Sequence, residues 1–370
     1  MTDFATPRQV GGTSLRVTPM GFGGAWIAPS NVPLTQVIDT VRSAWDNGAR
    51  LFDTAPWYGV GRSERRLGIA LAELQAPRDQ YSVNTKVGRT LEPEYFEDST
   101  NDSDAADGTA RTPRDAESGY RVHFDYSYDA IRQQHRDSLQ RLGLSRINTL
   151  TLHDIDYGYH PTQLDIVLHQ LSADGMRGAT ALNELKSSGE IDAIGMGCNL
   201  ETKNAFSWED SSHEDLVERV MSLVDLDFVI VAGGYTLLET RALRRVFPAC
   251  AQRNISVIIA SPFAGGWLVN PDKMGYMYSR MSGLSAPEHI RERTAGMQEV
   301  CSEFDVPIGA VALQFVLTHP LVAAAIPGAA SPAEAASSRE FIEFDIPRKL
   351  WERMRERNLL PHDAPCPDDN

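Results

Sequence analysis

Short apolar runs alternate with helical patterns along almost the whole chain, and this alternation restricts the fold more than any other feature. It is typical of βαβ units, which build a parallel sheet, and it argues against a sandwich of antiparallel strands. We predict strands near residues 19–23, 51–53, 81–86, 147–153, 191–197, 227–231, 255–260 and 322–326. We predict helices near residues 35–47, 63–75, 128–142, 176–188, 214–223, 239–252, 287–305 and 332–340.

Eight such units fit an α/β fold, a closed (β/α)₈ TIM barrel that residues 1–370 form as a single domain. The segment Arg8–Val17 has a Gly11-Gly12 pair between short alternating runs, which predicts an N-terminal β-hairpin ahead of the first barrel strand. Three extended loops follow strands and precede helices: 90–125, 154–175 and 262–286. In a (β/α)₈ barrel such loops lie on the C-terminal face, where active sites form.

Three further segments lie outside the barrel pattern. The 90–125 loop contains an acidic run at 97–104, and we expect this loop to be a mobile insertion. Pro347–Asn358 predicts one additional helix after the last barrel unit, and the Pro-rich, acidic end at 361–370 predicts a poorly ordered tail.

Composition excludes several classes of function. Fifty acidic and 35 basic residues give a net charge of -15, which repels nucleic acid and anionic membranes. No apolar stretch is long enough to span a bilayer and the first residues do not resemble a signal peptide, so we expect a cytoplasmic protein. The four cysteines are scattered without a Cys-x-x-Cys pair, which argues against a zinc site or a disulfide framework. Whether the chain forms a homo-oligomer stays open.

Four chemically active residues lie at or just beyond the ends of predicted strands: Asp53, Tyr58, Lys86 and His153. Because the carboxyl ends of parallel strands meet at one face of a barrel, we expect these four side chains to lie close together. Each alone has a simpler explanation, since a strand-end aspartate often caps a helix, a lysine is usually solvated and a histidine is often a satisfied core residue. Their combination on successive strand ends favours a catalytic site.

The chemistry of this set is proton transfer to or from a carbonyl or hydroxyl oxygen. Free tyrosine titrates near ~10, and we expect the Lys86 ammonium to lower the pKa of Tyr58 and favour its phenolate. Asp53 would pair with Lys86 and balance its buried charge. His153 would fix the direction of the substrate oxygen.

These motifs resemble those of the aldo-keto reductase family. The segment Phe52–Glu64 is similar to the family's first signature, with Asp53 and Tyr58 in positions of the catalytic tetrad. The lysine and histidine of the tetrad correspond to Lys86 in Thr85-Lys86-Val87-Gly88 and His153 in Leu152-His153-Asp154. The similarity extends over nearly the whole chain.

The resemblance implies a barrel that binds a nicotinamide cofactor without a Rossmann domain. It implies that Asn199 holds the nicotinamide carboxamide and that Tyr235 stacks on the nicotinamide ring. The remaining cofactor contacts that it implies are Ser261, Pro262, Phe263 and Gly265 at the pyrophosphate, and Gly328 and Ser331 at the adenosine phosphate.

Three positions depart from the family pattern. Ala232 replaces a frequent glutamine, and Ala260 replaces an aromatic residue that often opens the pyrophosphate strap. Ala330 occupies the place where NADP-preferring members carry a basic residue after Pro-Gly. Loss of a charge-assisted contact to a 2′-phosphate is worth about 1.5–3 kcal/mol. We therefore predict NAD rather than NADP, unless Arg339 or a loop residue supplies the missing charge.

Within the family, Phe124–Asp129 and Ser138–Leu144 resemble the aldose 1-dehydrogenase branch, which includes L-fucose and D-threo-aldose dehydrogenases and pyridoxal 4-dehydrogenases. Such enzymes oxidise a cyclic hemiacetal to a lactone. Sugar and pyridoxal versions, and a general aldehyde or ketone reductase, would differ in the substrate pocket. We expect its wall to include Trp26, Trp57 and Trp267, because aromatic rings stack on a sugar face or a pyridine.

Two functions of other classes stay open at this point. A metal-dependent hydrolase on the same barrel would use the cluster of His153, Asp154, Asp156 and His160. A regulatory subunit would keep the cofactor and lack turnover, although the complete set of four catalytic residues argues against it.

Overall fold

The computed structural model describes residues 4–93, 119–160, 162–200, 212–270, 286–361 and 364–367. Its strands are β1 Arg8–Gln9, β2 Arg16–Val17, β3 Phe22–Gly23, β4 Leu51–Asp53, β5 Ser82–Val87, β6 Arg89–Pro93, β7 Tyr120–Phe124, β8 Thr149–Leu152, β9 Ala193–Asn199, β10 Phe228–Ala232, β11 Ser256–Ala260 and β12 Val322–Ile326. Its α-helices are α1 Leu34–Asp46, α2 Arg62–Glu73, α3 Tyr128–Leu142, α4 Leu164–Leu171, α5 Gly178–Ser187, α6 Ser212–Leu223, α7 Val246–Gln252, α8 Glu288–Glu303, α9 Ile308–Thr318, α10 Pro332–Glu343 and α11 Arg348–Glu356.

Eight parallel strands form the barrel, in the order β3-β4-β5-β8-β9-β10-β11-β12. Parallel bridges from Met20 to Ala325 and from Gly23 to Gly328 join the last strand to the first. The predicted (β/α)₈ fold is therefore confirmed, and each predicted barrel strand has its counterpart. We call the C-terminal end of the barrel the mouth and the N-terminal end the base.

Amphipathic helices cover the barrel, as the sequence pattern requires. In α1, for example, Val37, Thr40, Val41 and Ala44 are buried, and their spacing places them on one face of the helix. The strands themselves are buried on both sides, which explains their nearly continuous apolar sequence.

The predicted N-terminal hairpin is present at the base. Antiparallel β1 and β2 pair Arg8 with Val17, and the Arg8 guanidinium donates to the carbonyls of Leu317 and Val322 at 2.8 and 2.6 Å. The amide of Gly11 donates to Oγ of Ser256 at 2.8 Å. The hairpin therefore covers the base near β11 and β12, away from the mouth.

Several elements differ from the sequence prediction. α4 lies within the predicted loop 154–175, and the predicted helix at 239–252 is divided into a 3₁₀ turn, Arg241–Leu243, and α7. α9 was not predicted, because all of its residues after Ile308 are buried and it has no polar face that would reveal a helical period.

The predicted insertion at 90–125 begins and ends as a hairpin, with Arg89 opposite Phe124 and Pro93 opposite Tyr120. Its central residues, 94–118, lie outside the described residues, as do 271–285 of the 262–286 loop. In the predicted tail, Ala364 and Cys366 are buried against the barrel, while 362–363 and 368–370 lie outside the described part.

In the described part of the chain, no single helix has the length and apolar character to cross a membrane. One pair of consecutive helices, α8 and α9, meets that test together but is bent by 103°.

Candidate active site

Three of the predicted catalytic residues lie at the mouth, at the ends of neighbouring strands. Asp53 ends β4, Lys86 lies one residue before the end of β5, and His153 directly follows β8. Nζ of Lys86 donates to the two Asp53 oxygens at 2.8 and 2.9 Å and to the Thr54 carbonyl at 2.8 Å. Both side chains are buried, so the ammonium keeps its charge through this pairing.

Tyr58 joins this group from the turn after β4. Its ring centroid lies 4.7 Å from Nζ of Lys86. The ring of His153 meets it edge-on, with the two centroids 5.9 Å apart. The structure thus brings together the four residues that the sequence singled out.

The local sequence explains how Tyr58 reaches this position. Gly59, Val60 and Gly61 all have positive φ, at 64°, 50° and 77°, so the chain reverses sharply before α2 begins. A Cβ atom at Gly59 would lie only 2.9 Å from the Ala28 carbonyl oxygen. The turn therefore requires glycine and aims Tyr58 back over the barrel.

Asn84 supports the ion pair from below and was missed by sequence reasoning. Its Nδ2 donates to Asp53 Oδ1 at 2.6 Å, while its Oδ1 accepts from the hydroxyls of Thr149 and Thr151 at 2.7 and 2.9 Å. The only available signal was its place two residues before Lys86 on the same strand, which puts both side chains on one face.

The phenol of Tyr58 is protonated at neutral pH. Desolvation by the surrounding protein raises the pKa of Tyr58 to about 12 and outweighs the Lys86 ammonium, which lowers it. The Asp53 carboxylate also raises this pKa. The Lys86 ammonium does act to lower the pKa of Tyr58, as predicted. The predicted net lowering of this pKa is wrong, because the increase caused by burial and Asp53 exceeds the decrease caused by Lys86.

His153 is a neutral imidazole. Burial lowers the pKa of His153 to about 3; Asp154 opposes this shift, and the Lys86 and Arg89 charges add to it. Its Nε2 lies 3.5 Å from Asp154 Oδ2, and its buried Nδ1 has no hydrogen-bond partner among the described residues. A neutral ring with one N–H can donate to an oxygen without adding charge to the site.

Arg89, at the start of β6, lies beside this group and was not identified from the sequence. Its guanidinium carbon lies 4.3, 4.1 and 4.8 Å from the ring centroids of Trp57, Phe124 and Tyr159. Its Nη2 pairs with Asp154 Oδ2 at 2.7 Å. Aromatic faces and a carboxylate thus hold a buried cation next to the proposed proton-transfer residues.

Asn199, at the end of β9, is oriented by two carboxylates. Its Nδ2 donates to Asp154 Oδ1 at 3.1 Å and to Asp156 Oδ2 at 2.8 Å. Asp156 also accepts from the amides of Gly158 and Tyr159. Burial, with the nearby Asp154 charge, raises the pKa of Asp156 to about 6.

The geometry does not favour the metal-dependent alternative. Among the residues that the structure describes, no group of three or more His, Cys, Asp or Glu side chains is arranged to hold a metal ion. Asp154 is paired with Arg89, and His160 Nε2 lies 3.3 Å from the Tyr126 hydroxyl. The four acidic and imidazole groups proposed as ligands therefore serve other contacts.

The structure does not bring Tyr235 to the mouth. Its ring is fully buried, with centroids 4.8 Å from Phe247 of α7 and 5.2 Å from Phe315 of α9. Its hydroxyl has no hydrogen-bond partner among the described residues. The structure does not support the expectation that Tyr235 stacks on a nicotinamide ring, because the Tyr235 ring turns outward into the helix layer.

The predicted pyrophosphate strap follows β11 and forms a tight turn. Ser261, Ala264 and Gly265 have positive φ, at 53°, 51° and 72°, while Phe263 has φ -93° and ψ 20°. The amides of Ala264 and Gly266 donate to the carbonyls of Ser261 and Phe263 at 2.9 and 3.0 Å, so hydrogen bonds within the strap close this turn. Pro262 is buried, and the Phe263 ring packs against Phe341, 6.0 Å away.

The predicted adenosine-phosphate end lies where the last strand meets the first. Gly328 bridges to Gly23, and a Cβ atom at Gly328 would lie 2.4 Å from Cδ1 of Trp26. Ser331 is the N-cap of α10, and its hydroxyl accepts from the Glu334 amide. Trp26 therefore lies at the rim, beside the first residues after β12.

The other two tryptophans predicted for the substrate pocket, Trp57 and Trp267, lie apart from each other. Trp57 is partly exposed at the mouth and contacts Arg89. Nε1 of Trp267 donates to Oγ1 of Thr294 in α8 at 2.9 Å, which anchors Trp267 to the helix layer. The structure thus places Trp57 beside the catalytic group, and Trp267 at the outer side of the strap.

Comparison with known proteins identifies the family of the chain. The family model described as the aldo/keto reductase family matches residues 19–358. A D-threo-aldose 1-dehydrogenase of Pseudomonas sp is 32% identical over 367 residues, which cover 96% of this chain and 99% of that protein. A pyridoxal 4-dehydrogenase of Microbacterium luteolum is 31% identical over 366 residues, which cover 95% and 97% of the two chains.

A solved structure has the same fold. The aldo-keto reductase AKR11C1 from Bacillus halodurans, in its holo form, has a TM-score of 0.66 and 21% identity, and the match covers 99% of each chain. With the family model matched across the whole barrel and two relatives aligned over nearly the full length, this chain belongs to the aldo/keto reductase family of NAD(P)-dependent oxidoreductases.

Proposed function

We propose that this protein is an NAD-dependent dehydrogenase that oxidises the cyclic hemiacetal of an aldose, such as L-fucose or another D-threo-aldose, to its lactone. The observation that carries the proposal is the buried Lys86–Asp53 pair beside Tyr58 and His153 at the mouth. The name of one relative supports the substrate class, because a D-threo-aldose 1-dehydrogenase aligns with nearly the whole chain.

In this proposal Tyr58 carries the proton. A nicotinamide, when bound, supplies the acceptor for the hydride that leaves the hemiacetal carbon. The Tyr58 oxygen takes the hydroxyl proton, and the Lys86 ammonium stabilises the phenolate form that must take it. Asp53 holds Lys86 in place, and the neutral His153 donates to the same substrate oxygen.

The cofactor contacts that support the proposal are those whose geometry fits. Asn199 presents an oriented amide at the end of β9, and Gly265, with φ 72°, allows a pyrophosphate to approach the backbone of the strap closely. The proposed cofactor site also includes Ser261, Pro262, Gly328 and Ser331, but not Tyr235.

We propose NAD rather than NADP as the preferred cofactor. Ala330 has no charge, and its amide donates to the Glu334 carboxylate at 2.8 Å, so an acidic group lies where a 2′-phosphate would need a cation. Arg339, the residue that could replace the missing charge, pairs with Glu343 on the exposed face of α10. A carboxylate here repels a phosphate and can accept from a ribose hydroxyl.

Two alternatives within the same chemistry have support of their own. A pyridoxal 4-dehydrogenase is a near full-length relative, and the aromatic wall at Trp57 suits a pyridine ring as well as a sugar. A general aldehyde or ketone reductase is supported by the protonated state of Tyr58, because reduction needs a proton donor at the carbonyl oxygen.

Assays with a panel of substrates test the proposal. L-fucose, other aldoses, pyridoxal and simple aldehydes are each incubated with NAD or NADP, and the absorbance of the reduced cofactor is followed. We expect the highest kcat/KM with a D-threo-aldose and NAD, and a lactone as product. Turnover of simple aldehydes alone would contradict the sugar assignment, and binding of cofactor without any turnover would indicate a regulatory subunit.

We also propose that residues 1–370 act as one domain in the cytoplasm. The support is that the eight barrel strands belong to one sheet, from Phe22 in β3 to Ile326 in β12.

A further inference from the structure

The carboxylate of Asp154 lies between the two halves of the candidate site. Its Oδ2 accepts from Nε and Nη2 of Arg89 at 3.2 and 2.7 Å and lies 3.5 Å from Nε2 of His153. Its Oδ1 accepts from Nδ2 of Asn199 at 3.1 Å. One buried side chain therefore contacts the proposed donor to the substrate and the proposed holder of the cofactor carboxamide.

The contacts determine which way the Asn199 amide faces. Ionised carboxylates accept hydrogen bonds and cannot donate them, so Nδ2 of Asn199 must face Asp154 and Asp156. Both of its N–H groups are then used. Whatever Asn199 offers to a carboxamide must come from its Oδ1, which acts as an acceptor.

Arg89 allows Asp154 to stay ionised in this buried position. Burial works against the charge on Asp154, but His153 and the Arg89 guanidinium hold the pKa of this carboxyl below its usual range. The aromatic rings of Trp57, Phe124 and Tyr159 in turn fix the guanidinium. Phe124 lies opposite Arg89 in the β6–β7 hairpin, so the hairpin supplies both the cation and part of its support.

Asp154 also has an unusual backbone. Its φ is 56°, in the left-handed region that asparagine and aspartate adopt more readily than most residues. This conformation follows directly after His153 and turns the carboxylate back toward Asn199. An asparagine can take the same conformation, which makes Asp154→Asn a conservative test.

We propose that Asp154, held by Arg89, is a positioning residue that sets the orientation of both His153 and Asn199 for hydride transfer. The inference rests on the proposed function, because it assigns His153 to the substrate and Asn199 to the cofactor. Asp156 completes the arrangement as the second acceptor for the Asn199 amide.

The test compares Asp154→Asn with Asp227→Asn. Asp227 is also a buried aspartate in an ion pair, with Lys186 at 2.7 Å, but it lies at the base of the barrel. For each variant, the Kd of NAD is measured by quenching of tryptophan fluorescence, together with kcat, KM and Tm. The double variant Asp154→Asn/Arg89→Gln removes both charges of the pair.

We expect Asp154→Asn to weaken NAD binding about tenfold or more and to lower kcat by a similar factor, since contacts to a charged acceptor are lost. Asp227→Asn should lower Tm at least as much while Kd and kcat stay within about twofold of the wild type. The double variant should bind NAD more tightly and have a higher kcat than Asp154→Asn, because it leaves no buried cation unpaired.

Values of Kd and kcat for Asp154→Asn within about twofold of the wild type would overturn the inference and leave the proposed function intact. Equal losses in Asp154→Asn and Asp227→Asn would also overturn it, since they would indicate general destabilisation. If the wild-type protein neither binds NAD or NADP nor turns over any substrate with them, the proposed function is overturned, and the inference with it.

Discussion

The two ends of the barrel each contain a lysine–aspartate pair, and the pairs differ in what surrounds them. At the mouth, Lys86 contacts Asp53 at 2.8 Å, and only 4% of the Lys86 side chain is exposed. At the base, Lys186 contacts Asp227 at 2.7 Å, but 29% of the Lys186 side chain is exposed. The distances are nearly equal, so the ion pair itself does not distinguish the proposed catalytic end from the other end of the barrel.

The neighbours of the pairs make the difference. The Asp227 carboxylate at the base accepts from the amide of Ile194 and thereby ties β10 to β9. The ammonium at the mouth lies beside the Tyr58 ring, and its charge acts on a group that can exchange a proton. The same type of ion pair therefore stabilises strand contacts at the base and changes the acidity of a phenol at the mouth.

Replacement of the two lysines should give the largest difference in kcat between the two ends of the barrel. Lys86→Met should lower kcat by about 10²–10⁴-fold, because Tyr58 loses the charge that stabilises its phenolate. Lys186→Met should leave kcat within about twofold and lower the free energy of unfolding by about 1–3 kcal/mol, since Asp227 loses its partner. Steady-state kinetics and urea denaturation measure both; similar kcat losses in the two variants would remove the distinction.

The next effect concerns the pH dependence. Because the pKa of Tyr58 is about 12, its phenolate fraction at neutral pH is small and rises tenfold per pH unit. Oxidation should therefore accelerate with rising pH across the range 7–10, while His153, with a pKa of about 3, stays neutral throughout. The pH profile of kcat/KM for the sugar shows this. A flat profile would mean that another group takes the proton or that another step limits the rate.

The third effect lies at the rim of the mouth and concerns the cofactor. Replacing the neutral residue and the acid near α10, as Ala330→Arg/Glu334→Gln, should raise kcat/KM for NADP relative to NAD by about 10–100-fold. The ratio of kcat/KM for the two cofactors measures it, with Arg339→Gln as control, because Arg339 pairs with Glu343. A wild-type preference for NADP would contradict the assignment before any mutation.

The smallest effect is on the turn that carries Tyr58. Gly59→Ala should lower the free energy of unfolding by about 1 kcal/mol or more, because φ is 64° and the new Cβ would meet Ala28. Gly143→Ala is the control, since it has φ 65° but no atom within 4 Å of a new Cβ. Activity should fall only in Gly59→Ala, where Tyr58 is displaced. Equal activity in the two variants would show that the turn tolerates the change.

The sequence allowed the barrel and the position of the candidate catalytic group to be predicted for clear physical reasons. Strands buried on both sides are recognisable as short apolar runs, and Asp53, Lys86 and His153 follow such runs. Arg89 could not be found in this way. Its partner Asp154 lies 65 residues further along the chain, and the two residues meet because β5 and β8 are neighbours in the barrel, with Val87 opposite Leu152.

Two other properties depend on three-dimensional packing. The side to which the Tyr235 ring turns depends on Phe247 and Phe315, which belong to two separate helices, α7 and α9. The net shift of the Tyr58 pKa depends on how much water the fold removes, which the sequence does not contain. The charges in a sequence predict the direction in which one neighbour shifts a pKa, whereas burial determines the net shift.

Replacement of the phenol at the mouth shows whether Tyr58 carries the proton. Tyr58→Phe removes one oxygen, and Tyr81→Phe is the matched change near the base, where the Tyr81 ring packs against Trp45 and Phe52. With NAD and the best aldose, Tyr58→Phe should retain the wild-type Kd for NAD and lose kcat by about 10²–10⁴-fold, while Tyr81→Phe keeps its kcat. A nearly unchanged kcat in the Tyr58→Phe enzyme would mean that another group carries the proton.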